Sequence, residues 1–252
     1  MAPPPSTTWL RRFTPASDEA MSLICLPHAG GSASFYFPVS RALAPAIDVV
    51  AVQYPGRQDR RHEPNIDSLT ELADRIVDAL TPSDSRPFAL FGHSMGAVLA
   101  YEVALRLSDA GLPGPSRLFL SGRRAPSRHR DDRVHLMSDR DILAQIRRLN
   151  GTEAAALDDP DIRDMILPVM RSDYRAVETY RHDSSRVLAC PVTVLTGDRD
   201  PLVTIEEARA WEEHTSGPAE LVVLPGGHFY LIEQSERVLD LIRRRLAAPV
   251  AL

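Results

Sequence analysis

The feature that most constrains the fold of this 252-residue chain is residues 92–96, which read Gly-His-Ser-Met-Gly. An apolar run precedes them at 88–91, and a run rich in alanine and leucine follows at 97–107. A strand, a G-x-S-x-G turn and a helix in that order are typical of a nucleophile elbow, which strains its serine and lifts the hydroxyl clear of the sheet. Only glycine fits two residues before and after such a serine, because larger side chains would collide. We therefore predict Ser94 as a nucleophile, with a serine in an ordinary glycine turn as the alternative.

Short apolar runs alternate with helical patterns along most of the chain, which is typical of a parallel sheet covered by helices on both faces. Strands are predicted at residues 21–26, 47–52, 88–91, 117–121, 192–196 and 221–224, and helices at 35–43, 67–80, from the elbow to about 111, and 235–246. With the elbow, this predicts a single α/β domain over residues 1–252, of the α/β-hydrolase class with a mostly parallel sheet.

The alternation stops at residues 123–186, where no convincing strand is predicted and only short helical segments at 142–149 and 162–174 stand out. We interpret this stretch as a helical lid inserted at the functional edge of the sheet. The alternative is a helical subdomain with no gating role.

A serine hydroxyl needs a general base, and the base needs an orienting carboxylate. In α/β-hydrolases the acid and then the histidine follow the serine along the chain, each in a loop after a strand. His228 follows the strand at 221–224 and two glycines, so we predict it as the base. Asp200 is the preferred acid because Pro201 favours an extended backbone there. Asp198, nearer the strand end, is the alternative and could instead brace the loop.

The developing oxyanion needs two backbone N–H donors. One is predicted to come from Met95 at the start of the elbow helix, where unpaired amides and the helix dipole favour negative charge. The second is expected from the loop at 28–31, with Ala29 preferred and Gly30 as the alternative. No His-Glu-x-x-His motif or Cys/His cluster occurs, so no metal or other cofactor is expected.

Composition excludes several other classes. The net charge of −5 argues against a nucleic-acid partner. All 29 basic residues are arginine, which excludes a Walker A lysine, a Schiff-base lysine and a Ser-Lys pair. Cys25 and Cys190 are too few for a disulfide framework, and no signal-peptide or membrane-spanning pattern is present. We expect a cytoplasmic protein with no membrane partner.

Five motifs together resemble those of the type II thioesterases, the free-standing editing hydrolases of polyketide synthases and nonribosomal peptide synthetases. They read Pro-His-Ala-Gly-Gly at 27–31, Tyr-Pro-Gly-Arg at 54–57, Gly-His-Ser-Met-Gly at 92–96, Gly-Asp-Arg-Asp at 197–200 and Gly-His-Phe at 227–229. The resemblance runs from about Trp9 to the C-terminal helix. It implies Ser94 as nucleophile, His228 as base, Asp200 as orienter, Ala29 and Met95 as oxyanion donors, and residues 123–186 as lid.

The resemblance also implies a substrate and a partner. Members of this family remove stalled or wrong acyl groups from the phosphopantetheine arm of acyl or peptidyl carrier proteins, so we expect a monomer that meets carriers transiently. Carrier proteins are generally acidic, and Arg123, Arg124, Arg128 and Arg130 are candidates for a basic docking patch. The alternative is a solvated charged loop.

Three other functions compete with this interpretation: a carboxylesterase acting on oxygen esters, a chain-terminating thioesterase, and a catalytically dead hydrolase-fold receptor. Only substrate preference would distinguish a carboxylesterase from a thioesterase, since both would share the triad. The second is usually fused to a synthase, and the third usually lacks a triad residue. The arginine-only composition would suit an actinomycete antibiotic cluster, of which the rifamycin cluster is one candidate.

Overall fold

The computed structural model describes residues 8–80, 86–149 and 156–247, and their strands form one seven-stranded sheet. The strands are β1 (Leu10–Arg12), β2 (Met21–Leu26), β3 (Ile47–Val52), β4 (Phe88–His93), β5 (Leu118–Ser121), β6 (Val192–Gly197) and β7 (Ala219–Leu224). Their order across the sheet is β1-β3-β2-β4-β5-β6-β7. Only β1 is antiparallel to its neighbour, so the predicted mostly parallel sheet is confirmed.

Helices cover both faces of this sheet, as predicted. They are α1 (Phe37–Leu43), α2 (Leu69–Leu80), α3 (Met95–Asp109), α4 (Asp139–Leu149), α5 (Pro160–Thr179), α6 (Ile205–Arg209), α7 (Tyr230–Glu233) and α8 (Ser235–Ala247). Alternate residues along a strand point to opposite faces. Ile24 therefore joins the core beneath α2 and α3, whereas Leu23 joins the core beneath α1 and α8.

Several elements differ from the sequence prediction, and two of them lie near the N-terminus. The first helix was expected from residue 35, but Ala33–Tyr36 is a 3-10 turn and α1 begins at Phe37. The strand β1 was not predicted, because three residues that include two arginines carry no alternation signal. It is a strand because its backbone pairs with β3 at the edge of the sheet.

The segment between β5 and β6 contains α4 and α5 and has no strand in its described parts, 123–149 and 156–186. It has a small apolar core of its own, in which Ile142, Leu157 and Met170 are buried. This core is separate from the two that flank the sheet, so the segment is a helical layer at one edge of the domain.

Candidate active site

Ser94 occupies a strained turn between β4 and α3. Its backbone angles are φ 54° and ψ −114°, and its amide donates to the carbonyl oxygen of Ser121 at 2.8 Å. A Cβ on Gly92 would lie 2.0 Å from the carbonyl oxygen of Gly96, and a Cβ on Gly96 would lie 2.1 Å from that of Leu26. Both distances are far below contact, so the turn requires glycine at both positions. This is the elbow that the motif predicts.

Asp200 and His228 are brought together by the loops after β6 and β7. The Oδ2 atom of Asp200 lies 2.8 Å from Nδ1 of His228, and both side chains are buried. The other oxygen of Asp200 accepts the Leu202 amide at 2.8 Å, which fixes the carboxylate. Asp198 is half-exposed and accepts the Gly226 amide instead, so it braces the loop that leads to the histidine. The structure thus pairs His228 with the preferred acid rather than with the alternative.

Ser94 and His228 line one pocket at the edge of the sheet, between the loop after β2 and the segment 123–186. The other lining residues are His28, Ala29, Gly30, Arg123, Ile146, Leu149, Ile166, Met170, Tyr174, Leu202 and Phe229. The aliphatic members from α4 and α5 give the pocket an apolar part of its wall. Its surface therefore suits a small apolar group held against the Ser94 hydroxyl.

The loop of residues 27–32, here called the β2 loop, forms one side of this pocket. The Gly30 amide donates to Oδ2 of Asp173 at 2.7 Å, so Gly30 has no free donor for a bound group. The Ala29 amide has no acceptor within the described part of the chain. Met95 is the first residue of α3, and first-turn amides have no partner inside their own helix. Of the two amides considered in the β2 loop, that of Ala29 is thus the one without an acceptor among the described residues.

Comparisons with known proteins show the family of the chain. The thioesterase domain family model matches residues 21–246. A probable cadicidin biosynthesis thioesterase from Streptomyces griseus is 53% identical over 247 residues, covering 96% of this chain and 68% of that protein. The thioesterase PikA5 from Streptomyces venezuelae is 50% identical over 231 residues, covering 91% of this chain and 82% of that protein.

This chain belongs to the thioesterase domain family.

A solved structure supports the same assignment. The type II thioesterase BorB from the borrelidin biosynthetic cluster superimposes with a TM-score of 0.89 at 51% identity, covering 95% of this chain and 98% of that one. The protein is thus an enzyme that hydrolyses thioesters. The rifamycin cluster stays a hypothesis, since these matches name other pathways.

Two further histidines lie beside His228 in this thioesterase. Burial lowers the pKa of His28 to about 3, with the charges of His228 and Arg57 contributing, and burial lowers the pKa of His93 well below its usual range. The rings of His93 and His228 are 5.0 Å apart between centroids. Because both neighbours stay neutral near pH 7, no second imidazolium repels the proton that His228 would accept. Neither histidine has a role predicted from the sequence, although both lie within the motifs.

A chain of hydroxyl groups fixes His93 beneath the elbow. Its Nδ1 lies 2.9 Å from the Ser121 hydroxyl, which lies 2.7 Å from the hydroxyl of Tyr230. Its Nε2 is buried without a partner among the described residues. The arrangement holds the ring against His228 with only one nitrogen bonded.

The four arginines named as candidates for a docking patch do not form an open one. Arg124 is buried and pairs with Asp132. Arg128 and Arg130 pair with Glu213 and Glu207 respectively. Arg123 lines the pocket, and burial lowers the pKa of its guanidinium to about 10. Local acidic partners, which a count of arginines does not reveal, account for the difference.

Metal-binding clusters and membrane-spanning helices are both absent from the described residues. They contain no group of three or more histidine, cysteine, aspartate or glutamate side chains able to hold a metal ion. No helix among them is both long and apolar enough to cross a membrane.

Proposed function

We propose that this thioesterase removes short acyl groups from the phosphopantetheine arm of acyl or peptidyl carrier proteins in a polyketide or nonribosomal peptide pathway. The observation that carries the proposal is the pocket that Ser94 and His228 line together with apolar side chains from α4 and α5. The printed names of the relatives add support, because BorB is a type II thioesterase of a borrelidin cluster and PikA5 is a thioesterase.

The proposed mechanism has two acyl-transfer steps. Ser94 attacks the thioester carbonyl while His228 accepts the hydroxyl proton, and Asp200 orients the imidazole. The C–S bond then breaks and the pantetheine thiol leaves with that proton. Water, deprotonated by His228, attacks the acyl-serine ester and regenerates Ser94. No metal or cofactor enters either step.

The negative charge that develops on the carbonyl oxygen in both steps needs donors. We propose that the amides of Ala29 and Met95 supply them. The absence of an internal acceptor for the Ala29 amide in the described chain supports this, as does the place of Met95 at the start of α3.

We also propose that residues 123–186 act as a lid over the pocket. Ile146 in α4 and Ile166 in α5 contribute to its wall, so displacement of these helices would open it. Limited proteolysis with and without a substrate analogue tests this: we expect cleavage within the segment that the analogue suppresses. Resistance to cleavage without the analogue would count against a moving lid.

The transient encounter with carriers and the monomeric state are also proposals. A repaired carrier must return to its synthase, so a long-lived complex would block the pathway. Sedimentation of the enzyme with and without an acyl carrier protein tests both points, and a stable complex or dimer would contradict them.

The deciding experiment compares acetyl and propionyl groups on a phosphopantetheinyl carrier protein with the matching small thioesters and oxygen esters. Ser94→Ala is the blank. We expect rapid clearance of the loaded carrier that depends on Ser94, with weak activity on oxygen esters. A preference for oxygen esters with no gain from the carrier would instead indicate a general carboxylesterase.

A further inference from the structure

Side chains from three distant parts of the chain hold the backbone of the β2 loop and its two flanking residues. The hydroxyls of two tyrosines donate to carbonyl oxygens at its start: Tyr36 to Leu26 O at 2.9 Å and Tyr54 to Pro27 O at 3.1 Å. In its middle, Asp173 accepts the Gly30 amide at 2.7 Å and Arg57 donates to Gly31 O at 3.0 Å. At its end, Gln53 accepts the Ala33 amide at 2.8 Å. Few peptide groups of this loop are therefore free to rotate.

These bonds fix the orientation of the peptide group between His28 and Ala29, which carries the proposed oxyanion donor. Tyr54 holds the peptide group before it, through Pro27 O, and Asp173 holds the one after it, through the Gly30 amide. The carbonyl of the intervening peptide, His28 O, accepts the Gly31 amide at 2.9 Å. The N–H of that same peptide belongs to Ala29, and it must point away from the Gly31 amide.

Arg57 and Asp173 form a buried bidentate pair within this arrangement. Nη1 and Nη2 of Arg57 donate to the two carboxylate oxygens of Asp173 at 2.8 and 2.9 Å, and the side chains are 7% and 0% exposed. The guanidinium also lies over the ring of Tyr54, 5.0 Å from its centroid. A buried ion pair is poor evidence of stabilisation, because desolvation offsets the attraction. Its contacts with the backbone of Gly30 and Gly31 indicate a second role.

We propose that Arg57 and Asp173 are positioning residues that set the Ala29 amide for the oxyanion. This proposal rests on the proposed function of the site. Asp173 lies in α5, so one member of the pair comes from the proposed lid segment and the other from the loop after β3. The C-terminal part of α5 is then a fixed part of the catalytic architecture and takes no part in the proposed lid movement.

The test uses a double variant, Arg57→Met with Asp173→Leu, which removes both charges and leaves no unpaired ion in the interior. Hydrolysis of the propionyl thioester of N-acetylcysteamine gives kcat and KM. Propylboronic acid gives a Ki, because its adduct with Ser94 places a boron-bound oxygen where the oxyanion forms. The control is Glu220→Leu with Arg245→Met, which removes another bidentate pair, at 2.6 and 2.7 Å between β7 and α8 and away from the pocket.

We expect the double variant to lose about 10- to 100-fold in kcat, since a displacement near 1 Å can cost about 100-fold. KM should stay within about threefold, and the Ki of propylboronic acid should rise with the loss of kcat. The control pair should leave kcat and Ki unchanged. A folded double variant with parental kcat and Ki would overturn the proposal, and so would a loss of kcat without a change in Ki.

Asp173→Asn decides the question if the double variant does not fold. It keeps the shape of the side chain and one acceptor oxygen, so we expect a smaller loss of kcat than in the double variant, with a correspondingly smaller rise in Ki. Parental values for this variant would overturn the proposal. Ser94→Ala distinguishes failure of the proposed function from failure of the positioning role. If Ser94→Ala still hydrolyses the thioester, the proposed function is wrong. If Ser94→Ala is inactive and the double variant is fully active, only the positioning role is wrong.

Discussion

The carboxylate of Asp200 lies 2.8 Å from Nδ1 of His228, although 28 residues separate them in the sequence. An amide in place of this carboxylate loses the charge and can offer the imidazole a donor, which favours the wrong tautomer. We expect Asp200→Asn to lower kcat by about 10³- to 10⁴-fold at neutral pH, as judged from steady-state hydrolysis of a propionyl thioester.

Asp198→Asn is the matched control for that prediction. Asp198 is half-exposed, and its Oδ1 bonds the Gly226 amide. An asparagine oxygen can accept the same hydrogen bond, so kcat should stay within about tenfold of the parent value. If Asp198→Asn proves the more damaging of the two, the assignment of Asp200 is wrong.

Gly92 and Gly96 provide a test of the elbow. A methyl group on Gly92 would meet a carbonyl oxygen at 2.0 Å and one on Gly96 would meet another at 2.1 Å, and both obstacles are backbone. Each alanine substitution should lower the free energy of unfolding by at least about 1–3 kcal/mol and reduce activity, because the backbone must shift. Gly114→Ala is the control, since nothing lies within 4 Å of its added Cβ. Urea denaturation measures the three variants, and equal losses for all three would contradict the steric argument.

The protein should become less stable as the pH falls below about 6.5. Burial lowers the pKa of His28 to about 3 and that of His214 to about 4, so the folded state leaves both neutral at pH 5. The unfolded chain binds protons at these positions as the pH falls below about 6.5, and protonation therefore favours unfolding. The free energy of unfolding should decrease by up to about 1.4 kcal/mol per pH unit for each histidine.

Urea denaturation between pH 5 and pH 8 tests that slope. His214→Gln should flatten it, whereas His62→Gln, at an exposed position, should leave it as in the parent. A stability that stays constant or rises between pH 6.5 and pH 5 would contradict the prediction.

Ile166 should limit the length of the acyl group. It contributes to the apolar wall of the pocket, whereas its neighbour Met165 is 56% exposed and lies outside that wall. Ile166→Ala should raise the ratio of kcat/KM for hexanoyl over propionyl thioesters by about tenfold, because each methylene in such a pocket is worth about 1–3 kcal/mol. Met165→Ala should leave the ratio unchanged. A shift of the same size in both variants would mean that the wall does not select chain length.

The sequence was sufficient to predict features whose signals are local. The G-x-S-x-G pattern predicted the turn at Ser94, and the positions of Asp200 and His228 after late strands predicted their convergence at one edge of the sheet. The pairing of Arg57 with Asp173 had no such signal, since 116 residues separate them and Asp173 lies in none of the motifs, although Arg57 does.

The burial of Arg124, a candidate for a surface role, was also not predictable from the local sequence. Its carboxylate partner is only eight residues away, but the loop conformation that buries the guanidinium is set by packing rather than by local pattern. The short strand β1 is similar, because its order comes from the edge of a sheet assembled elsewhere.

The contact between Arg57 and Asp173 constrains how this enzyme can be recombined with its relatives. A chimaera that takes residues 123–186 from another thioesterase also imports whatever side chain stands at position 173 and places it against Arg57. A mismatch would bury a lone charge and release the amide of Gly30. Residues 123–186 and the loop that contains Arg57 are therefore expected to be exchangeable only as a matched set. A transfer of substrate preference between family members that differ at these positions then requires transplanting residue 57 together with the helices.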